Sequence, residues 1–190
     1  MKKNPLSLKV GRPIILFVVT LLIFLASGTW QIDHQLPEKH SDGTVISSIN
    51  DFRLIIPSLK IEAPIIEDVD GQDPDIYNRS LENGVAHLKG SSKPGEGSNI
   101  FIFGHSSFYW HKPGEYKEIF RHLEDLQKND EIIIGHNGRE YKYKVTSKTT
   151  VDPRQIDVIR PTSQEQVSLM TCVPPGTTLK RLIVVAVRTN

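Results

Sequence analysis

Ser168-Leu169-Met170-Thr171-Cys172-Val173-Pro174-Pro175-Gly176 leads, five residues on, into Arg181-Leu182-Ile183-Val184-Val185-Ala186-Val187. Two short apolar runs, separated by a Pro-Pro-Gly turn, read as two strands, Gln166 to Cys172 and Arg181 to Val187. Paired as antiparallel neighbours, they set Cys172 opposite Arg181 at one edge of a sheet. Cys172 is the only cysteine in the chain, so it has no internal disulfide partner. A lone thiol outside a reducing compartment is buried and inert, mispaired, or retained for its reactivity.

Upstream, the chain from Phe52 reads as further short strands with turn punctuation. Phe52 to Ile56 and Lys60 to Ile66 look like strands, with Pro57 and Pro64 limiting how central they are. Asp73 as cap, Pro74 at the first position and Gly84 beyond the end predict a short helix to Glu82. Lys89 to Ser98 is a Gly/Ser/Pro loop. Asn99 to Phe103 reads as a buried strand ending at Gly104-His105. Ile119, Phe120, Leu123 and Leu126 predict an amphipathic helix over Glu115 to Gln127. Asn137-Gly138 predicts a hairpin joining Glu131–Ile134 to Arg139–Val145, with Thr146 to Val151 extending or following it. Many short strands with brief helices predict a mostly-β barrel or sandwich.

The N-terminus has a different character. Residues 1–12 hold Lys2, Lys3, Lys9 and Arg12 and no acid, whereas residues 13–30 hold no charge. Eighteen residues at helical rise span about 27 Å, enough to cross a bilayer's hydrocarbon core. Trp30 would sit at the interface, and the basic flank predicts a cytoplasmic N-terminus with the remainder exported. A cleaved signal peptide is the other reading, with Ala26-Ser27-Gly28 as its cleavage site. The expected organisation is a basic segment 1–12, an anchor 13–30, a polar stalk 31–50 and a folded domain 51–190. Beyond residue 30 the chain holds 19 basic and 22 acidic residues. That near-neutral balance offers no basic excess for phosphates, so nucleic acid is not an expected partner.

His105, like Cys172 and Arg181, lies at a strand end, so the three side chains meet if those ends share one rim. Their chemistry suits acyl transfer. A guanidinium favours the thiolate nucleophile, an imidazolium protonates a leaving amine, and a cation holds the oxyanion. These residues, with their setting, resemble the sortases, cysteine transpeptidases of bacterial cell surfaces. Ser168 to Cys172 is similar to the family's TLxTC signature, with Arg181 as its downstream arginine. Gly84 to Leu88, Pro94-Gly95-Glu96 through Gly104-His105, and Phe120, Leu123 and Asn129-Asp130 match the flanking stretches. Ser168 stands where the signature usually has Thr, and it keeps the hydroxyl.

The resemblance implies a mostly-β fold, a closed eight-stranded barrel with short helices in an extracytoplasmic position, which the N-terminal transmembrane helix read above would precede. It implies Cys172 as nucleophile, His105 as acid and Arg181 as oxyanion donor. The implied partners are a surface protein with a C-terminal LPxTG-like sorting motif, the amine of a cell-wall precursor, and the membrane. No metal or organic cofactor is implied. Glu62, Glu67, Asp68 and Asp70 read equally as a solvated strand edge or as ligands for an activating calcium ion. Asp73-Pro74-Asp75 lacks the aromatic third residue of the lid in pilin-polymerising members. No second apolar span follows Val187, and the loops flanking the last strands are short, so a housekeeping or class D- or E-like enzyme is expected. His87 is open between structure and function, and Thr171 between orienting the site and simple strand packing. Arg188 is a rival to Arg181 at the far end of its strand. A cysteine endopeptidase using water and a non-catalytic wall-binding β-domain are the alternative classes.

Overall fold

The computed structural model describes residues 52–107 and 115–189, all within the unit Val45–Asn190. The expected basic segment, anchor and stalk lie outside the described residues. No helix among the described residues is long and apolar enough to cross a membrane.

Eight strands close into a barrel: β1 Arg53–Ile56, β2 Ile61–Val69, β3 Val85–Leu88, β4 Asn99–Phe103, β5 Glu131–His136, β6 Arg139–Val151, β7 Gln166–Val173 and β8 Lys180–Arg188. Around the barrel the order is β1-β2-β3-β4-β7-β8-β6-β5. Closure leaves no edge strand to recruit a neighbour. The β2–β3 and β4–β7 pairs are parallel and the others antiparallel. The β5–β6 hairpin turns at Asn137 and Gly138, with φ of 50° and 71°. Two successive positive φ values make the type I′ turn whose twist matches the strands.

Period-2 alternation sorts side chains between two cores. Leu54, Ile56, Ile100, Ile102, Val167, Leu169, Leu182, Val184 and Ala186 fill the barrel interior. Their strand neighbours Phe101, Phe103, Met170, Ile183 and Val185 point outward into a second cluster with Val69, Leu81 and Tyr77. Helix α1, Pro74–Leu81, covers part of that cluster; Asp73 caps it by accepting from the Asp75 and Ile76 amides at 2.9 and 3.2 Å. Gly84 follows because a Cβ there would sit 2.3 Å from the Pro64 carbonyl oxygen, a close approach only glycine permits.

Two expectations need correction. The predicted helix Glu115–Gln127 is not an α-helix: Glu118–Leu126 runs as successive tight turns ending in the 3-10 helix Leu123–Asp125. Phe120, Leu123 and Leu126 are fully buried, and their spacing of three suits three residues per turn better than 3.6. The Phe120 amide also donates to the His105 carbonyl at 2.9 Å, which removes it from any helical ladder. Strand β3 was not foreseen either, because Val-Ala-His-Leu is too short to show alternation.

One buried carboxylate locks the β4 and β7 starts to the end of β8. Glu165 is 8% exposed and accepts from the Gly95 and Gly97 amides (3.2 Å each), the Tyr143 hydroxyl (2.8 Å) and Arg188 (3.0 Å). Burial by itself disfavours its charge, but hydrogen bonds from Tyr143, Gly95 and Arg188 outweigh burial and hold the carboxyl below its usual range. Burial and the bond to Glu165 push the Tyr143 phenol well above its ordinary value. A depressed carboxyl contributes stability above the unfolded value, about 4.3, and that contribution fades as pH falls through the folded value. Glu165→Ala should therefore destabilise the fold by about 2 kcal/mol at neutral pH, because it orphans the buried Tyr143 hydroxyl and removes the acceptor of the part-buried Gly95, Gly97 and Arg188 bonds. The difference in urea midpoint from wild type should narrow as pH falls through the depressed folded value; equal midpoints at pH 7 would refute the lock.

Candidate active site

Strand register decides which side chains meet. Cys172 is the direct antiparallel partner of Arg181, one step before the Val173–Lys180 pair that ends the ladder. Alternation puts Cys172 on the face of Ser168 and Met170, and Arg181 on that of Ile183, so both point to the outer face of the barrel. β4 runs parallel to β7 with Phe103 opposite Met170. The contact continues past the strand: the Gly104 amide donates to the Met170 carbonyl at 3.1 Å, and the Thr171 hydroxyl donates to the Gly104 carbonyl at 2.9 Å. A Cβ on Gly104 would point at Phe120, and His105 follows just past the end of β4. Register and alternation thus give Cys172 and Arg181 one face, with the His105 segment beside them on the adjacent strand.

The supports of this arrangement are partly new. Thr171 is buried, and its hydroxyl ties β7 to the segment that leads into His105. The Phe120 amide holds the His105 carbonyl from below. A Cβ on Gly104 would come 2.7 Å from the Phe120 ring and 3.3 Å from Ile119. Gly104→Ala should therefore displace the histidine segment and lower kcat/KM by about tenfold to a hundredfold, the cost of a misplacement near 1 Å. Peptide turnover measured beside the melting temperature checks this; unaltered turnover would show that the segment accommodates the methyl group. Next to His105, the Ser106 hydroxyl is buried and, among the described residues, the one buried side-chain polar atom without a hydrogen-bond partner.

The Arg181 guanidinium rests on its own loop. Nη1 donates to the Thr178 and Lys180 carbonyls at 3.1 Å each. Across the sheet its other partner is Val151. Asp152 follows, held below the usual carboxyl range by the Arg154 amide and side chain and by nearby Lys180. The rival Arg188 lies seven residues along β8, about 23 Å from Arg181 at ordinary strand rise. It is spent on Glu165 and on the Tyr141 ring, 4.8 Å away.

A second constellation looks catalytic and is not. Ser91 Oγ lies 2.9 Å from His87 Nε2, and Asp68 Oδ1 lies 3.5 Å from His87 Nδ1. That is the order of an activated serine. Yet Nε2 also faces the Ser92 carbonyl at 3.0 Å, so it carries the proton, and the Asp68 amide points at Nδ1, which accepts. In that tautomer the nitrogen facing Ser91 has no lone pair to take the serine proton. Ser91 Oγ instead donates to the Leu88 carbonyl at 2.8 Å. His87 is fully buried and braces the loop after β3. The carboxylates left open between a solvated edge and calcium have protein partners: Glu62 pairs with Arg53, and Lys93 pairs with Glu67 and lies 3.6 Å from Asp68. Among the described residues no group of three His, Cys, Asp or Glu side chains is placed to hold a metal ion.

Known proteins share this sequence pattern and fold. The Sortase domain family model matches residues 54–189. The chain is 30% identical over 163 residues to Sortase D of Bacillus subtilis (strain 168), covering 84% of this chain and 73% of that protein. It is 29% identical over 132 residues to Sortase A of Bacillus anthracis, covering 70% of this chain. The chain spans 56% of the length of that relative. Among solved structures, sortase C-1 from Actinomyces oris superposes with a TM-score of 0.63 at 31% identity, over 75% of this chain and 76% of that one. Sortase A from Corynebacterium diphtheriae gives 0.61 at 30%, over 76% and 63%.

Proposed function

The chain belongs to the sortase family, and on that premise we propose that it is a membrane-anchored cysteine transpeptidase. It cleaves a surface protein at a C-terminal LPxTG-like motif and transfers the acyl group to an amine of a cell-wall precursor. The observation that carries this reading is the Cys172–Arg181 pair in register, with the His105 segment tied alongside through Gly104 and Thr171. The uncharged span 13–30 behind four basic residues supports anchoring with the domain outside the cytoplasm.

The chemistry then runs in two halves. The Cys172 thiolate attacks the carbonyl carbon of the motif threonine, and Arg181 donates hydrogen bonds to the oxygen as it becomes negative. The carbon–nitrogen bond breaks as His105, an imidazolium, gives its proton to the departing amine. The acyl group is left as a thioester on Cys172. An incoming amine attacks that thioester, His105 takes back a proton, and the thiolate leaves. Closing a new amide rather than a carboxylic acid requires the amine to reach the thioester before water does.

The test is product identity. The full chain is incubated with a sorting-motif peptide, with and without oligoglycine. Ligated peptide in the presence of the amine is the expected result. Free acid alone in both reactions would make the protein an endopeptidase. No cleavage, together with a thiol that resists iodoacetamide in the folded state, would leave a wall-binding domain.

A further inference from the structure

Asn99 begins β4, at the opposite end of the outer face from Cys172, and is 2% exposed. Its amide group is used on both sides. The nitrogen donates to the Val158 and Arg160 carbonyls, each at 3.2 Å. The oxygen accepts from the Ser168 hydroxyl at 2.8 Å and from the Gln166 amide at 3.4 Å. Ser98 adds a second fastening, its hydroxyl accepting from the Thr162 amide at 2.9 Å. The Ile156–Ile159 turn and the chain after it are thereby pinned to the β4–β7 pair.

What is pinned lies over the face that carries the candidate site. Val158 packs into the outer cluster with Phe101, Phe103, Met170 and Ile183. Met170 and Ile183 are two residues from Cys172 and Arg181 on the same side of their strands. The same turn leaves large apolar side chains in solvent: Ile156 is 67% exposed and Ile159 39%. Two exposed isoleucines thus sit on a turn that part-buried hydrogen bonds fasten to the start of β4.

We propose that Asn99, with Ser168, is a positioning pair for substrate fit: it holds the Ile156–Ile159 turn at the height an extended peptide needs to reach Cys172. This rests on the transpeptidase reading above. It also gives the hydroxyl at position 168 a task that either Ser or Thr performs and Ala does not. Both side chains are buried, so their effect belongs in KM and in the order of the turn.

The experiment compares Asn99→Ala, Asn99→Asp, Ser168→Ala and Ser168→Thr in the full chain, below the melting temperature of each. Three quantities are read: KM and kcat on a sorting-motif peptide, the rate of Cys172 alkylation by iodoacetamide, and amide hydrogen exchange over residues 155–162. Asn99→Ala should raise KM about tenfold, as expected when two part-buried hydrogen bonds that fasten the turn are removed, with kcat and alkylation within about twofold. Exchange over 155–162 should quicken. Asn99→Asp keeps the acceptor for Ser168 but loses both donors, so it should match Asn99→Ala. Ser168→Ala should shift in the same direction by less and is the milder variant should Asn99→Ala not fold. Ser168→Thr should restore wild-type values. Unchanged KM with unchanged exchange overturns the inference. So does a fall in kcat and alkylation at constant KM, which would mean that the network supports the reacting groups instead. A wild-type chain that turns over no peptide would sink the transpeptidase reading and the substrate role together, while the exchange data alone still decide whether Asn99 holds the turn.

Discussion

Cys172→Ala is expected to abolish peptide cleavage and ligation, lowering kcat/KM by a factor on the order of 10⁵, while the fold survives. The nucleophile is lost outright, and no other cysteine exists to replace it. The structural cost is small for a stated reason. Cys172 sits one residue from the end of β7, partly exposed, on the outer face. Trimming a thiol there opens no enclosed cavity, so melting should shift by less than the equivalent of about 1 kcal/mol. The wild-type chain should form a thioester with a sorting-motif peptide, visible by mass spectrometry, and the variant should form none. A covalent adduct on Cys172→Ala would move the nucleophile elsewhere. His105→Ala should lose about 10²–10⁴ for want of an acid to the leaving amine. Unlike the cysteine variant, it should still react with a substrate whose leaving group needs no proton, such as a thioester peptide.

Arg181→Lys should behave as a severe substitution, with kcat/KM down by about 10²–10³, or roughly 3–4 kcal/mol of lost oxyanion stabilisation. The charge is kept, so the loss would come from geometry. Arg181 spends Nη1 on the Thr178 and Lys180 carbonyls. A guanidinium has five N–H donors in a planar fork, so it can hold its loop and a substrate oxygen together. A lysine ammonium is a point charge on a flexible stem and must leave one partner to meet the other. Arg188→Lys is the informative control. It weakens the Glu165 pair and the Tyr141 stack, so it should lower stability and leave kcat/KM within about twofold, being far from Cys172 along β8. Full activity in Arg181→Lys would remove Arg181 from the oxyanion role despite its register with Cys172.

Much of this was legible in the chain because it depends on local signals. Asn137-Gly138 announces its hairpin through two positive φ values. Asp73-Pro74 announces α1 because capping and a preset φ act over a few residues. The Cys172–Arg181 pairing followed from strand ends and a short loop between neighbours, where register leaves little freedom. The errors share a cause. Phe120, Leu123 and Leu126 were read as one face of an α-helix, yet the His105 carbonyl takes the Phe120 amide and the segment tightens to three residues per turn. Val85–Leu88 gave no periodic signal, since four residues become a strand only when β2 and β4 lie ready on either side. Gly84 looked like a helix stop; a carbonyl from distant Pro64 is what requires it.

The sequence by itself determined the strands other than β3, the sites where they turn, and the three residue types brought to strand ends, because propensity, alternation and turn chemistry act over a few neighbouring residues. Only the tertiary structure decided that Thr171 ties down Gly104, that Asn99 holds the turn at Val158, that Glu165 binds Arg188, and that Ser91-His87-Asp68 is a brace. Each joins residues far apart in the chain, and in each the role depends on which lone pair meets which proton. Barrel closure sets those distances and directions, and no spacing along the chain encodes them.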